Sequence, residues 1–267
     1  MELLRYIVLG IIQGLTEPLP ISSSGHLMIV RNFMSMPAID YFLEVWLHFA
    51  SLLAIVWLFR KRLITLIVGL YCYLIKRDNA YKHEFTYALC ILIGVIPAGI
   101  IGLLFKTWIE VYIIGAGLIA IGISLYITAG LLFFVQNKST DNDLTTIAWQ
   151  DALLIGLFQV FALLPGISRS GATLVGGLLK RIAFKPLIEF SFMLYIPITM
   201  ASMALELYQV KTLDHPINGL IVSFVLSALL TYFALKIFID LVQKGYLKYF
   251  AWYCLFAGTI AIITHII

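Results

Sequence analysis

Six stretches of this chain are long and apolar enough to cross a lipid bilayer, and nothing else in the sequence constrains the fold as strongly. Roughly 20 apolar residues cover about 30 Å of hydrocarbon, and such stretches lie near residues 41–59, 85–105, 112–135, 188–207, 217–238 and 249–266. In hydrocarbon every backbone N–H and C=O needs a partner within the protein, which a helix supplies from its own segment. Composition agrees: 62% of the 267 residues are hydrophobic and 12% are charged, a balance that excludes an ordinary soluble domain. The expected fold is an all-α polytopic membrane protein, one integral membrane domain over residues 1–267. No cleavable signal peptide is expected, because Arg5 is the only early cation and no small-residue cleavage site follows the first apolar run. Cys72, Cys90 and Cys254 stand singly in apolar segments, without disulfide or metal-ligand spacing. Residues 63–75, "LITLIVGLYCYLI", are too short to cross and sit between basic clusters, so an interfacial helix is expected there.

Two further apolar segments, residues 3–36 and 151–180, are broken by turn chemistry at "TEPLPISSSGHL" and "LLPGISRSGAT". They read as re-entrant helical hairpins. A gapless alignment at an offset of 146 places Gly10 on Gly156, Gln13 on Gln159, Ile21 on Ile167, Ser22 on Ser168, Ser24 on Ser170 and Gly25 on Gly171. Matches at Gln, Ser and Gly, rather than at Leu and Ile, argue for an internal repeat, with repeat one near 1–135 and repeat two near 151–267. Three full spans separate the hairpins, so the second enters from the opposite face and the halves are inverted. Their tips then meet near the bilayer midplane. Thirteen of the 18 basic residues fall on one side of this arrangement, and Arg5, Arg31, Lys106 and Lys211 on the other. The rich side is expected to be cytoplasmic, with both termini outside. The net charge of +4 is thereby a topology signal. No basic-aromatic surface for nucleic acid is present.

Arg169 is the one cation left at mid-membrane depth. Gln13 and Glu17 share a helix face, and Pro18 ends that half-helix near Glu17. A carboxylate at a helix C-terminus meets the negative end of the dipole and needs a compensating cation, for which Arg169 or a bound divalent metal ion are the candidates. Ser22, Ser23 and Ser24 are suited to cap the next helix, as "ISRSGAT" is in repeat two. Two helix N-termini aimed at one cavity, with Gly25 and Gly171 allowing close approach, make an anion site, and a bidentate Arg169 favours phosphate. His26 lies one turn after Ser23, within reach of its hydroxyl. Glu44 and Glu189 open equivalent spans, where the helix dipole favours them, and His48 is spaced to pair with Glu44. The acid-base groups Glu17 and His26 occur only in repeat one, so that half is expected to react and the other to hold.

"QGLTEPLPISSSGHL", "LLPGISRSGAT" and "EFSFMLYIP" resemble the bacterial undecaprenyl-diphosphate phosphatases, also called bacitracin-resistance proteins, and the resemblance runs in order along almost the whole chain. It implies a hydrolase of the bacterial inner membrane that removes the terminal phosphate of undecaprenyl diphosphate, recycling the lipid carrier of peptidoglycan synthesis and so serving cell-wall biogenesis, cell shape and bacitracin resistance. It also implies an outward-facing site and a divalent cation, Mg2+ or Ca2+, with Glu17 as its ligand. Carried onto this chain, the motifs give Glu17, Ser23, His26 and Arg169 as catalytic residues. Gln13, Ser22, Ser24, Ser168, Ser170 and Thr173 are the phosphate-binding set. Gln13 departs from the Glu that many members carry; an amide is neither a base nor an anionic ligand, so the burden falls on Glu17. In-line displacement is expected with Ser23 as the favoured nucleophile, and attack by water or by His26 stays open. The expected partners are the lipid substrate and the bilayer, with a homodimer left open. A lipid-phosphate flippase or anion transporter is the rival reading, since inverted repeats with a midplane anion site suit a carrier too.

Overall fold

The computed structural model describes residues 2–36, 41–109, 111, 115–138, 146–209 and 215–266, and among them the chain is helical with no strand. Repeat one holds α1 (Glu2–Thr16), α2 (Ser23–Phe33), α3 (Tyr41–Leu58), α4 (Arg60–Leu74), α5 (Lys82–Trp108) and α6 (Leu118–Val135). Repeat two holds α7 (Trp149–Phe161), α8 (Arg169–Leu179), α9 (Phe184–Gln209), α10 (Ile217–Gln243) and α11 (Leu247–Ile266). Five of these, α5, α6, α9, α10 and α11, carry an apolar window long enough to cross a membrane. A sixth candidate is the pair α3 and α4 taken together, with a bend of 76° between them. That bend separates α4, which contains residues 63–75, from the direction of α3. The expected start of the third span, at 112–114, lies outside the described residues, as does Lys211.

The four remaining helices are short. At 15, 11, 13 and 11 residues, α1, α2, α7 and α8 extend roughly 22, 16, 20 and 16 Å, well under the thickness of the hydrocarbon. Each pair therefore runs in, turns and runs back. The turns fall where the sequence places them: α1 stops at Thr16, next to Glu17 and Pro18, and α2 begins at Ser23. Ser22 and Ser168, equivalent in the repeat, are the N-caps of α2 and α8, each accepting a hydrogen bond from the N–H of a glycine, Gly25 at 3.4 Å and Gly171 at 3.2 Å.

Exchanging the two halves maps the main helix contacts onto one another. The contact of α1 with α10 becomes that of α7 with α5, while α3 against α9 and α6 against α11 lie on the pseudo-two-fold axis. The exchange extends to single residues. A Cβ on Gly10 would stand 2.6 Å from the Ser223 carbonyl oxygen on α10, and one on Gly156 would press on the Gly94 backbone of α5. Both seams thus close backbone to backbone, the small-residue packing typical of membrane helices. Between α3 and α10, Ser51, Ser227 and Thr231 add a ladder of hydroxyl contacts at 3.1 and 2.9 Å.

Polar contacts at the helix ends fix the two faces of the molecule. On one face Arg62 of α4 donates to Glu84 at the start of α5, at 2.8 and 2.6 Å, and to Glu189 near the start of α9, at 2.9 Å. On the other, Tyr6 near the start of α1 meets His215, just before α10, at 2.8 Å. The first is the face rich in Lys and Arg.

Candidate active site

The tips of the two hairpins touch at the centre of the molecule, and the contacts again come in exchanged pairs. A Cβ on Gly25 would lie 3.2 Å from the Cα of Gly166, and one on Gly171 would lie 3.4 Å from Pro20, which is the repeat equivalent of Gly166. Gly166 has φ +94°, a conformation that glycine adopts freely. Ser168 and Ser170 donate to the Leu19 carbonyl at 3.5 and 3.1 Å, stitching tip two to tip one. From outside, α6 holds the second tip through Thr128, which donates to the Gly166 carbonyl and accepts from the Ser168 N–H, each at 3.2 Å. On the other side α11 holds the first, with the Cys254 thiol 3.7 Å from the Pro20 carbonyl.

This closure sets Glu17 against Arg169. The guanidinium Nη2 donates to Glu17 Oε1 at 2.6 Å, so the carboxylate at the end of α1 has the compensating cation that the dipole demands. Its other oxygen, Oε2, accepts from the Ser23 hydroxyl at 2.5 Å and from Gln13 Nε2 at 2.9 Å, and lies 3.1 Å from His48 Nδ1. His48 Nδ1 is also 3.0 Å from Gln13 Nε2. With its proton on Nδ1 the imidazole donates to Glu17, and the approach to the Gln13 amide is then a contact between two donors rather than a hydrogen bond. The Glu17 side chain is 2% exposed, and burial of that charge is tolerable because both oxygens are met by donors.

Of the residues expected from sequence, Gln13, Glu17, Ser23 and Arg169 come together. His26 does not join them. Its Nδ1 is 2.7 Å from the Ser22 carbonyl and its Nε2 2.9 Å from the Tyr253 hydroxyl of α11, on which the ring also stacks. The imidazole therefore braces the turn before α2 instead of reaching the Ser23 hydroxyl. Ser22 and Ser24 face each other at 3.3 Å, and Ser168 and Ser170 do so at 3.2 Å. Thr173 is fully buried and pairs with Ser191 of α9 at 2.6 Å. These hydroxyls hold tips and helices together. What the tips leave for an anion are the N–H groups of Ser23 and Ser24 in α2 and of Arg169 and Ser170 in α8, which have no helical partner.

A cavity of about 480 Å³ leads away from this cluster, with Glu17, Arg169, His48 and Tyr195 at its inner end. Its walls come from the first turns of α3 and the later halves of α5 and α9, including Val45, Gly102 and Leu205. Those helix portions lie toward the face poor in basic residues. A mostly apolar cavity with a few polar groups at one end is the usual form of a ligand site. Two of the groups at that end, His48 and Tyr195, were not assigned to the site from the sequence. His48 pairs with Glu44 at 4.0 Å as its spacing expects, and its other ring nitrogen lies closer to Glu17, at 3.1 Å; Tyr195 reads as one more aromatic in an apolar helix.

The family model for the bacitracin resistance protein BacA matches residues 6–260. The chain belongs to this family. Among curated relatives it is 39% identical to "Undecaprenyl-diphosphatase 2" of Bacillus thuringiensis, over 98% of this chain and 97% of the relative. It is 37% identical to "Undecaprenyl-diphosphatase" of Oceanobacillus iheyensis, over 98% and 96%. With "Undecaprenyl-diphosphatase 1" of Bacillus licheniformis the identity is 33%, over 98% and 97%. BacA membership agrees with the resemblance carried by the two hairpin motifs, and those motifs supply both halves of the Glu17–Arg169 pair.

Proposed function

We propose that this protein hydrolyses undecaprenyl diphosphate to the monophosphate and inorganic phosphate in the bacterial cytoplasmic membrane, with its cavity open to the outer face. The carrying observation is the Ser23–Glu17–Arg169 cluster, assembled from both hairpins, of which Glu17 and Arg169 border an apolar cavity. The names of the relatives support the reaction. The position of the cavity, away from the Arg62 face, supports the outward opening under the positive-inside rule.

In this reading Ser23 Oγ attacks the terminal phosphorus in line as Glu17 takes its proton, and the bond to the bridging oxygen breaks to release the lipid monophosphate with that proton. Water then attacks the phosphoserine, while Glu17 takes a proton from it and returns one to the Ser23 oxygen. Arg169 and the free N–H groups at the starts of α2 and α8 stabilise charge on the equatorial oxygens. His26 sets the backbone that carries Ser23.

A divalent cation fits this site as a companion of the diphosphate. Among the described residues no three His, Cys, Asp or Glu side chains gather into a metal set of their own. Gln13 Oε1 is buried beside Glu17 without a hydrogen-bond partner, and the Glu44 carboxylate lines the same cavity. A hard cation taking its other ligands from phosphate oxygens suits such donors. Glu17, Gln13 and Glu44 would hold it, and its chemistry there is neutralisation of phosphate charge.

The test is phosphate release from undecaprenyl diphosphate by purified protein in detergent. An enzyme turns over without any gradient, whereas a flippase or anion carrier releases nothing. Glu17→Gln should lower the rate by at least about 100-fold, and an undiminished rate would sink the assignment.

A further inference from the structure

The Arg169 guanidinium carbon lies over the Tyr195 ring, 3.7 Å from its centroid. Tyr195 is 2% exposed, stands on α9 and donates its hydroxyl to the His48 carbonyl of α3 at 3.0 Å. The ring is thus pinned to repeat one, although α9 belongs to repeat two. Arg169 spends one N–H on Glu17, and its side chain borders the cavity. A guanidinium has five N–H donors in a rigid plane, and any carbonyl or carboxylate used to brace it would consume one or two of them. An aromatic face restrains the plane and consumes none.

We propose that Tyr195 is the positioning residue of Arg169: its ring fixes the guanidinium plane so that the N–H groups not used by Glu17 are presented to the phosphate in the cavity. This inference rests on the phosphatase reading above. In this proposal the tyrosine acts on the phosphate through the arginine. Its hydroxyl serves the ring by anchoring it to the His48 backbone, so the face matters more than the oxygen.

Purified wild type, Tyr195→Phe, Tyr195→Trp and Tyr195→Met are compared for kcat, KM and the inhibition constant of inorganic phosphate. Ring-bearing variants should stay within about threefold of wild type. Tyr195→Met, which fills similar space without a π face, should lower kcat/KM and weaken phosphate inhibition by about 10- to 30-fold, the range set by a desolvated cation–π contact. Equal constants for the Phe and Met variants would overturn the proposal, and so would a tenfold loss in folded Tyr195→Phe, which would assign the work to the hydroxyl. Should the Met variant aggregate, Tyr195→Phe with a progressively fluorinated ring keeps the shape and withdraws the negative face. Stepwise loss of phosphate affinity with fluorination supports the proposal, and no dependence overturns it. Absence of phosphate release by the wild type would instead indict the phosphatase reading.

Discussion

Glu17 is the residue on which the site turns, because four side chains from four helices converge on its two oxygens. Each partner contributes differently, and substitutions should separate them. Arg169→Lys keeps the charge but not the fork, and should lower kcat/KM by about 10- to 100-fold, while Arg169→Ala should remove about 100- to 1,000-fold and leave Glu17 Oε1 without its donor. Steady-state phosphate release checks both. His48→Gln should lower kcat more than His26→Gln, since only the first imidazole touches Glu17; the reverse order would count against Glu17 as the base. The need of Glu17 for a cation was legible in the sequence, because a carboxylate at a helix C-terminus states it outright. The partition of the hydroxyls was not. Whether Ser23 or Ser168 faces the carboxylate depends on how one tip rotates against the other, and no spacing along the chain encodes that.

At the scale of elements, the hairpins and the bend between α3 and α4 follow from length, Pro18 and the flanking basic clusters, so both were readable before any coordinates. The seams that clamp the hairpins were only half readable. The repeat pairs Gly10 with Gly156, but only the packing shows each pressed on a neighbouring backbone, Ser223 on α10 and Gly94 on α5. Gly10→Leu should therefore push α1 off α10 and cost about 1–3 kcal/mol by overpacking, seen as a lower thermal midpoint in detergent. Gly166→Ala acts on the tip itself. Its φ of +94° and a Cβ position 2.6 Å from the Ser124 Cβ leave no room for a methyl group, so activity should fall even where the protein stays folded, as the second tip and with it Arg169 are displaced. Retained turnover in that variant would show that the tip tolerates movement.

For the whole molecule, the inverted exchange of halves was visible in a gapless offset of 146 and in the distribution of cations. What that symmetry conceals is the division of labour, since the repeats supply equivalent scaffolds and unlike chemistry. Glu17 and His48 lie in one half and Arg169 in the other, joined across the tip contact. If the diphosphate enters with a divalent cation, a chelator should suppress phosphate release and added Mg2+ or Ca2+ should restore it, while thermal stability without substrate changes little. A large drop in that stability would point to a resident structural ion.

Because the carboxylate and the guanidinium are separated by 152 positions, a chain leaving the ribosome exposes Ser23 long before its counterpart has been made. The first hairpin is therefore complete while its arginine partner is still missing. On the proposed reading, the Ser23–Glu17–Arg169 cluster can assemble only after α8 has been made and has docked against the first hairpin.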